Sequence, residues 1–308
     1  MSRVLVAGVD TSTQSTKVRV TDAETGEMVR FGQAKHPDGT SVNPDAWWQA
    51  FQEAAEQAGG LDDVAALAVG PGGGDNAMAS LGLSMGVGDV SISLGTSGVA
   101  AAISPVPAYD MTASVTGFAD CTGHWLPLAC TINGSRISDA GRAALGVDYD
   151  ELAELAAAAE PGAGGITLVP YFDGERTPNR PDATAALYGM TLANTRRENI
   201  ARAFVEGLLC SQRDCLELVK GLGVDVKRIL LIGGGTRFAA VRALAPAILD
   251  MDVELPETDE YVAIGAARQA AWVLSGETEP PTWPVKVETT LTGEPTPQVY
   301  EQYVRWRG

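Results

Sequence analysis

Two aspartates and two hydroxyl-rich turns are the groups in this sequence best suited to chemistry. Asp75 follows Gly72-Gly73-Gly74 and precedes Asn76, so its carboxylate sits at the mouth of a loop whose backbone can approach a ligand closely. As a general base it would take the proton of a substrate hydroxyl attacking the γ-phosphate of a nucleotide. The plainer alternative is structural, with Asp75 or Asn76 as the N-cap of a helix over 77–85. Asp10 ends the apolar run 4–9 and opens the polar stretch Thr11-Ser12-Thr13-Gln14-Ser15-Thr16. A carboxylate there could hold Mg2+ while the turn takes phosphate oxygens, or it could close a hairpin as an Asx-turn. Gly95-Thr96-Ser97-Gly98 is a second tip of N–H and hydroxyl groups suited to phosphate. Gly233-Gly234-Gly235 ends a further apolar run. No glycine run leads into GK[ST] and no GxGxxG is present, so neither a P-loop nor a dinucleotide fingerprint is involved.

The hydrophobic pattern marks out the elements that must hold these groups. Residues 4–9 and 17–21 read as strands about the first tip and 90–94 and 99–103 as strands about the second, with a third strand of the first set at 28–31. Strand, hydroxyl-rich turn and strand therefore occur twice, an internal echo that would offer two sets of N–H and hydroxyl groups to one phosphate chain. Asn43-Pro44 opens a helix closed by Gly59-Gly60, with Trp47 and Trp48 expected in the core. Residues 64–69 read as a buried strand. Beyond the second hairpin, Asn133-Gly134-Ser135 opens a helix to Leu145, and another helix covers 148–159. A capping box, Thr195 with Glu198, starts a long helix stopped at Gly221. A strand at 228–232, a helix with Pro246 near its end, a strand at 252–255 and a helix over 261–274 follow. The tail after Gly276, rich in Pro, Thr and Glu, is expected to be partly disordered. This alternation implies an α/β fold with mixed sheets in two lobes, for which the cleft between lobes is the default site.

A length of 308 residues favours about two domains. The formal charge of −17 argues against a nucleic-acid or anionic-membrane partner. A bound polyphosphate would then be held by backbone dipoles and a metal ion. Cys121, Cys130, Cys210 and Cys215 show no CxxC spacing, and His36 and His124 are the two histidines. Free thiols in a reducing cytoplasm fit this better than a zinc site. With no signal-peptide pattern and no spanning segment, the expectation is a soluble cytoplasmic protein. In the loop that carries Asp173, Glu175 and Arg176, the arginine is expected to pair with one of the two acids.

Taken together, DTSTQSTK at 10–17, GGGDNA at 72–77, SLGTSG at 93–98, PYFDGERTP at 170–178, LYGMT at 187–191 with Glu206 downstream, and LIGGGTR at 231–237 resemble the FGGY carbohydrate kinases. The nearest branch phosphorylates ketopentoses such as D-xylulose. The resemblance implies the actin-like ATPase fold, with duplicated ribonuclease-H-like domains, and transfer of the ATP γ-phosphate to a sugar hydroxyl with Mg2+. It implies Asp10 as the metal-associated acid and Thr13, Gln14, Ser15 and Lys17 as the first phosphate loop. Asp75 becomes the catalytic base, with Asn76 beside it on the sugar, and Gly95 and Thr96 the second phosphate loop. Gly134 and Ser138 fall where the family contacts nucleotide, and Gly234 and Gly235 in the adenosine loop. Ala239 stands where some members carry a polar adenine contact.

One departure is large. Family members continue from the strand ending near Gly70 into a sugar-binding segment, whereas here Val69-Gly70 passes directly to Pro71-Gly72-Gly73-Gly74-Asp75. The resemblance therefore implies a shortened N-terminal domain at 1–78, a nucleotide-binding domain at 79–275 and a tail at 276–308. A shortened first sheet would expose edges or apolar faces and favour self-association into a homodimer. The rival expectations are a nucleotide-binding or interaction protein that phosphorylates nothing, and an ATPase that works without a sugar.

Overall fold

The first hairpin forms where apolar residues alternate around the polar tip. Strands β1 (Leu5–Thr11) and β2 (Ser15–Asp22) pair antiparallel with Asp10 opposite Lys17. Strand β3 (Met28–Lys35) adds antiparallel to β2, and β4 (Val64–Val69) lies parallel to β1, giving the order β3-β2-β1-β4. The structure is a computed structural model in which residues 3–12, 14–38, 42–70 and 74–308 are described. Thr13 and Pro71-Gly72-Gly73 lie outside the described residues.

Two compact units emerge, the first comprising Met1–Gly86, Ala119–His124 and Asp259–Lys286. Helix α1 (Pro44–Gln57) is capped by the Asn43 side chain, which accepts from the Asp45 N–H, and it buries Ala50 and Ala54. It lies so close to β3 that a Cβ on Gly32 would stand 2.0 Å from the Ala54 carbonyl oxygen. No room remains for indoles on that face. Trp47 and Trp48 are accordingly 46% and 60% exposed, against the expectation that they form core.

Helix α2 (Asp75–Gly82) begins at Asp75 itself, with Gly74 as N-cap in a positive-φ conformation. Neither Asp75 nor Asn76 is therefore the cap. Helix α7 (Tyr261–Ser275) packs on β1, β4 and α2. Small residues permit this closeness, since a Cβ on Gly8 would meet the Ala263 carbonyl at 1.9 Å and one on Gly265 the Met78 carbonyl at 1.8 Å.

The second unit is Val87–Phe118, Trp125–Thr258 and Val287–Gly308. Strands β5 (Asp89–Leu94) and β6 (Gly98–Ala102) form the second hairpin. With β7 (Val115–Ala119), β8 (Trp125–Thr131), β11 (Arg228–Ile232), β12 (Val253–Pro256) and β13 (Val287–Leu291) they make a seven-stranded sheet ordered β13-β12-β11-β5-β6-β8-β7. Its β8-β6-β5-β11 portion repeats β3-β2-β1-β4, two antiparallel steps followed by a parallel one. The echo in the sequence is thus a duplicated sheet.

The duplication also exposes a difference. Beyond β11 the second unit adds β12 in parallel, whereas β4 is the last strand of its sheet. Residues 64–69 are not fully buried either: Ala66 and Ala68 pack against α7, while on the opposite face Leu67 and Val69 are 42% and 46% exposed.

Helices α3 (Arg136–Leu145), α4 (Tyr149–Ala158), the long α5 (Arg197–Gly221) and α6 (Ala239–Leu249) cover the second sheet around one apolar core. The Thr195–Glu198 capping box does not form: Arg196 is the N-cap of α5, and the Thr195 hydroxyl donates instead to the Thr191 carbonyl at 2.6 Å. A short pair, β9 (Thr167–Val169) and β10 (Ala186–Tyr188), flanks the loop that holds Glu175.

The tail is ordered by apolar anchors among its polar residues. Trp283 is 4% exposed and packs in the first unit, while α8 (Pro297–Arg307) buries Val299 and Tyr303 in the second. The expected boundaries at 78 and 275 therefore fall inside α2 and at the end of α7, and the residues after Gly276 divide between the units.

Candidate active site

In the first unit, the strand ladder and the N-terminus of α7 converge on Asp10. Asp10 is 6% exposed at the end of β1, and Lys17, its ladder partner on β2, reaches back with Nζ 3.4 Å from Asp10 Oδ2. The same ammonium donates to Glu260 Oε2 at 2.6 Å. One residue earlier, Asp259 accepts from Arg19 Nη1 at 2.7 Å, so two ion pairs tie the start of α7 to β2.

Burial pushes the Asp10 carboxyl above its ordinary 3.8, against the pull of Lys17, and the charges of Glu260 and Asp75 add to the rise. Lys17 loses stability as an ammonium through burial, but Glu260 and Asp10 outweigh this and hold it above its ordinary 10.5. Two carboxylates, Asp10 and Glu260, thus share one ammonium, and the nearby charge of Asp75 adds to a surplus of negative charge that a cation would relieve.

Asp75, exposed at the first turn of α2, uses Oδ1 to accept from the Asn76 N–H at 2.8 Å and from Asn76 Nδ2 at 3.2 Å. Its Oδ2 has no partner among the described residues. Of the residues expected to form a first phosphate loop, Gln14 is exposed at the hairpin tip, and its carbonyl accepts from the His36 N–H at 2.8 Å. Ser15 is buried with its hydroxyl taken up by Gln33 Nε2 at 3.1 Å, which turns that side chain into the sheet.

Of the remaining expected residues, the second unit places three on a cavity of about 400 Å³, within the range of small-molecule sites of roughly 300–1,000 Å³, and leaves Gly95, Thr96 and Gly134 off its lining. Ser138, Gly234 and Gly235 line it, together with Tyr149, Phe238 and Ala239. Tyr149 meets Phe238 edge to face with centroids 5.3 Å apart, Arg142 lies over its ring at 4.8 Å, and its hydroxyl donates to Asp139 at 2.8 Å. These contacts fix an aromatic wall suited to a flat base.

Gly134 packs against the β5–β6 turn, where a Cβ would stand 2.5 Å from the Ser97 carbonyl carbon and 2.6 Å from the Gly95 oxygen. That same oxygen accepts from the Ser135 N–H at 2.8 Å. Thr96 is exposed at the tip, and the hydroxyls of Thr96 and Ser97 have no partner among the described residues. Such a turn suits phosphate oxygens.

Sequence reasoning missed Glu260, Tyr149, Phe238 and the loop geometry around Glu175. Arg176 pairs with neither expected acid: Asp173 bridges to Arg136 at 2.7 Å, and Arg176 Nη1 points to Cys130 Sγ at 3.5 Å. Cys210 and Cys215 are buried in α5, Cys121 and Cys130 half-buried, and all four are free thiols. Among the described residues no helix is long and apolar enough to cross a membrane.

Each unit thus carries a sheet with a hydroxyl-bearing hairpin tip, the duplicated α/β architecture of the actin-like ATPases. The sequence profile described as the FGGY family of carbohydrate kinases, C-terminal domain, matches residues 90–274, and the chain belongs to that family. It is 42% identical over 210 residues to the xylulose kinase of Streptomyces coelicolor, covering 68% of this chain and 42% of that protein. The xylulose kinase of Haemophilus influenzae is 35% identical over 212 residues, 68% of this chain and 43% of its own. The match therefore spans less than half the length of these relatives. A crystal structure of xylulose kinase from Bifidobacterium adolescentis superposes with a TM-score of 0.95 at 48% identity, covering 99% of this chain and 100% of that one.

Proposed function

We propose that this chain is an ATP-dependent carbohydrate kinase of the xylulokinase type, transferring the γ-phosphate to a ketopentose hydroxyl and converting D-xylulose to D-xylulose 5-phosphate. The observation that carries the reading is the presence in one unit of an exposed Asp75, one of whose carboxylate oxygens has no partner among the described residues, and the charge-rich Asp10–Lys17–Glu260 group. Asp75 accepts the proton of the attacking hydroxyl. Asn76 holds the carboxylate orientation through its two donated hydrogen bonds and presents its amide oxygen to the sugar. In the second unit, the aromatic-walled cavity takes adenosine, and the Gly95–Thr96 turn with Gly134 takes phosphate oxygens.

Asp10 fits an Mg2+ ion. Its Oδ2 faces Lys17, its Oδ1 has no partner among the described residues, and burial makes a neighbouring cation the means of keeping it ionised. Among the described residues no group of three or more His, Cys, Asp or Glu is arranged to hold a metal. Water and phosphate oxygens would complete the shell around Asp10, which is the coordination Mg2+ favours. When bound, the ion neutralises charge that develops on the phosphate oxygens.

The test is ADP release by the purified chain with Mg-ATP, with and without D-xylulose, beside Asp75→Ala. Sugar-stimulated release that disappears in the variant supports a kinase. A second reading has its own support: the bare β4 edge with exposed Leu67 and Val69 leaves unwalled the sheet that would carry the sugar. Under that reading the chain binds ATP and no sugar accelerates its turnover.

A further inference from the structure

We infer that Glu175 is a positioning residue for the phosphate-binding turn of the second unit. The inference rests on the nucleotide reading of that unit and adds to it a group with no role in contacting nucleotide.

Glu175 is 1% exposed in the loop between β9 and β10, yet it has no basic partner among the described residues. Its carboxylate is satisfied by N–H donors alone. Oε1 accepts from the Ile132 N–H at 2.5 Å and the Arg176 N–H at 2.7 Å, and Oε2 accepts from Asn133 Nδ2 at 2.9 Å. Burying an unpaired carboxylate is costly unless several donors converge on it. Here two of the three donors belong to one short segment, Ile132-Asn133.

That segment is the base of the turn. Asn133 Nδ2 also donates to the Gly174 carbonyl at 2.8 Å, and the Asn133 carbonyl accepts from the Thr131 hydroxyl at 2.8 Å. The Thr131 hydroxyl oxygen in turn accepts from the Gly98 N–H at 3.0 Å and from Gln212 Nε2 at 3.3 Å. The next residue, Gly134, is pressed against Gly95 and Ser97, and the Ser135 N–H donates to the Gly95 carbonyl. Glu175 therefore fixes Ile132 and Asn133, and the segment 131–135 holds the turn at both ends, through Thr131 at Gly98 and Ser135 at Gly95. A negative charge near a phosphate site weakens binding if it acts through space, so its use there is geometric.

The experiment compares Glu175→Gln with Glu206→Gln, a second buried carboxylate of the same unit that is held by Arg202 and the Gly162 N–H. MgADP affinity is measured by calorimetry, global stability by thermal melting, and amide exchange at Gly95–Ser97 and Ser135 by mass spectrometry or NMR. Glu175→Gln is expected to weaken MgADP at least about tenfold and to speed exchange of the Ser135 amide, with neither effect in Glu206→Gln. Asn133→Ala, which removes one of the three donors and leaves the acid in place, should give a smaller loss of the same kind and serves if Glu175→Gln does not fold. Unchanged affinity and exchange in Glu175→Gln, or equal losses in Glu206→Gln, overturn the inference. If the unmodified chain binds no MgADP, the nucleotide reading fails, while the exchange comparison still decides whether Glu175 holds the turn.

Discussion

If the second unit's cavity takes nucleotide as proposed, replacing Gly134 by alanine should damage the fold beside it, whereas replacing Gly234 should damage binding alone. At Gly134 the added methyl would stand 2.5 Å from the Ser97 carbonyl carbon, 2.6 Å from the Gly95 oxygen and 2.7 Å from the Ser97 oxygen. All three are backbone atoms and cannot swing aside as a side-chain tip would. Relieving the clash means pushing the Gly95–Ser97 turn away from α3, which strains the Ser135 to Gly95 hydrogen bond of 2.8 Å. Overpacking of this kind costs about 1–3 kcal/mol, or a fall in Tm of about 2–4 °C for each kcal/mol in a unit of this size. At Gly234 nothing lies within 4 Å of the added methyl, and the residue lines the cavity. Stability should change by less than about 0.5 kcal/mol, while a methyl in the path of the ligand should weaken MgADP about tenfold. Thermal melting and calorimetric titration of both variants decide the matter. A Gly134→Ala protein as stable as the parent, or a Gly234→Ala protein whose stability and affinity fall together, would refute the placement of these two glycines.

Burial lifts Asp214 from its ordinary 3.8 to about 6, over the opposing pull of the Tyr300 hydroxyl and Arg307. Because the folded value lies above the unfolded one, this group's favourable contribution is complete below the ordinary 3.8 and is lost as pH rises through about 6. Ionised Asp214 therefore costs the native state about 3 kcal/mol near neutral pH, and Asp214→Asn should raise Tm at pH 7.5 and leave it little changed at pH 4. Lys17→Met would leave Asp10 and Glu260 without their shared ammonium, so stability at pH 7 should fall by about 3 kcal/mol and recover on acidification or addition of Mg2+, read by thermal melts across both series. Trp48→Ala, at an exposed position, should cost less than about 0.5 kcal/mol, whereas Trp283→Ala, which empties a buried site, should cost about 3–5 kcal/mol in denaturant unfolding.

What the sequence discloses and what it hides follow from the range of the interactions. Both hairpin tips are legible because strand, turn and strand are neighbours in the chain, and the duplicated pattern is local in each copy. Glu260 is invisible because its partner Lys17 lies 243 residues away, and nothing around an acid at a helix start says which basic group it will meet. The tryptophans mislead for a related reason. Periodicity marks an apolar stripe on α1, but how near the helix approaches depends on Gly32 of a different strand, and that closeness selects alanines over indoles. The strand at 64–69 looks buried because its composition suits a strand covered on both faces, whereas only the face of Ala66 and Ala68 is packed, by α7 from the far end of the chain. The same distinction separates the two halves of the proposed chemistry. Asp10, Asp75 and the Gly95–Ser97 turn travel with short segments whose strands and turns are locally encoded, but each motif alone fits a capping or turn role, and only their combination points to the proposed chemistry. The wall that would present a sugar to Asp75 depends on what covers β4, and after Val69-Gly70 the sequence passes directly to Pro71-Gly72-Gly73-Gly74-Asp75.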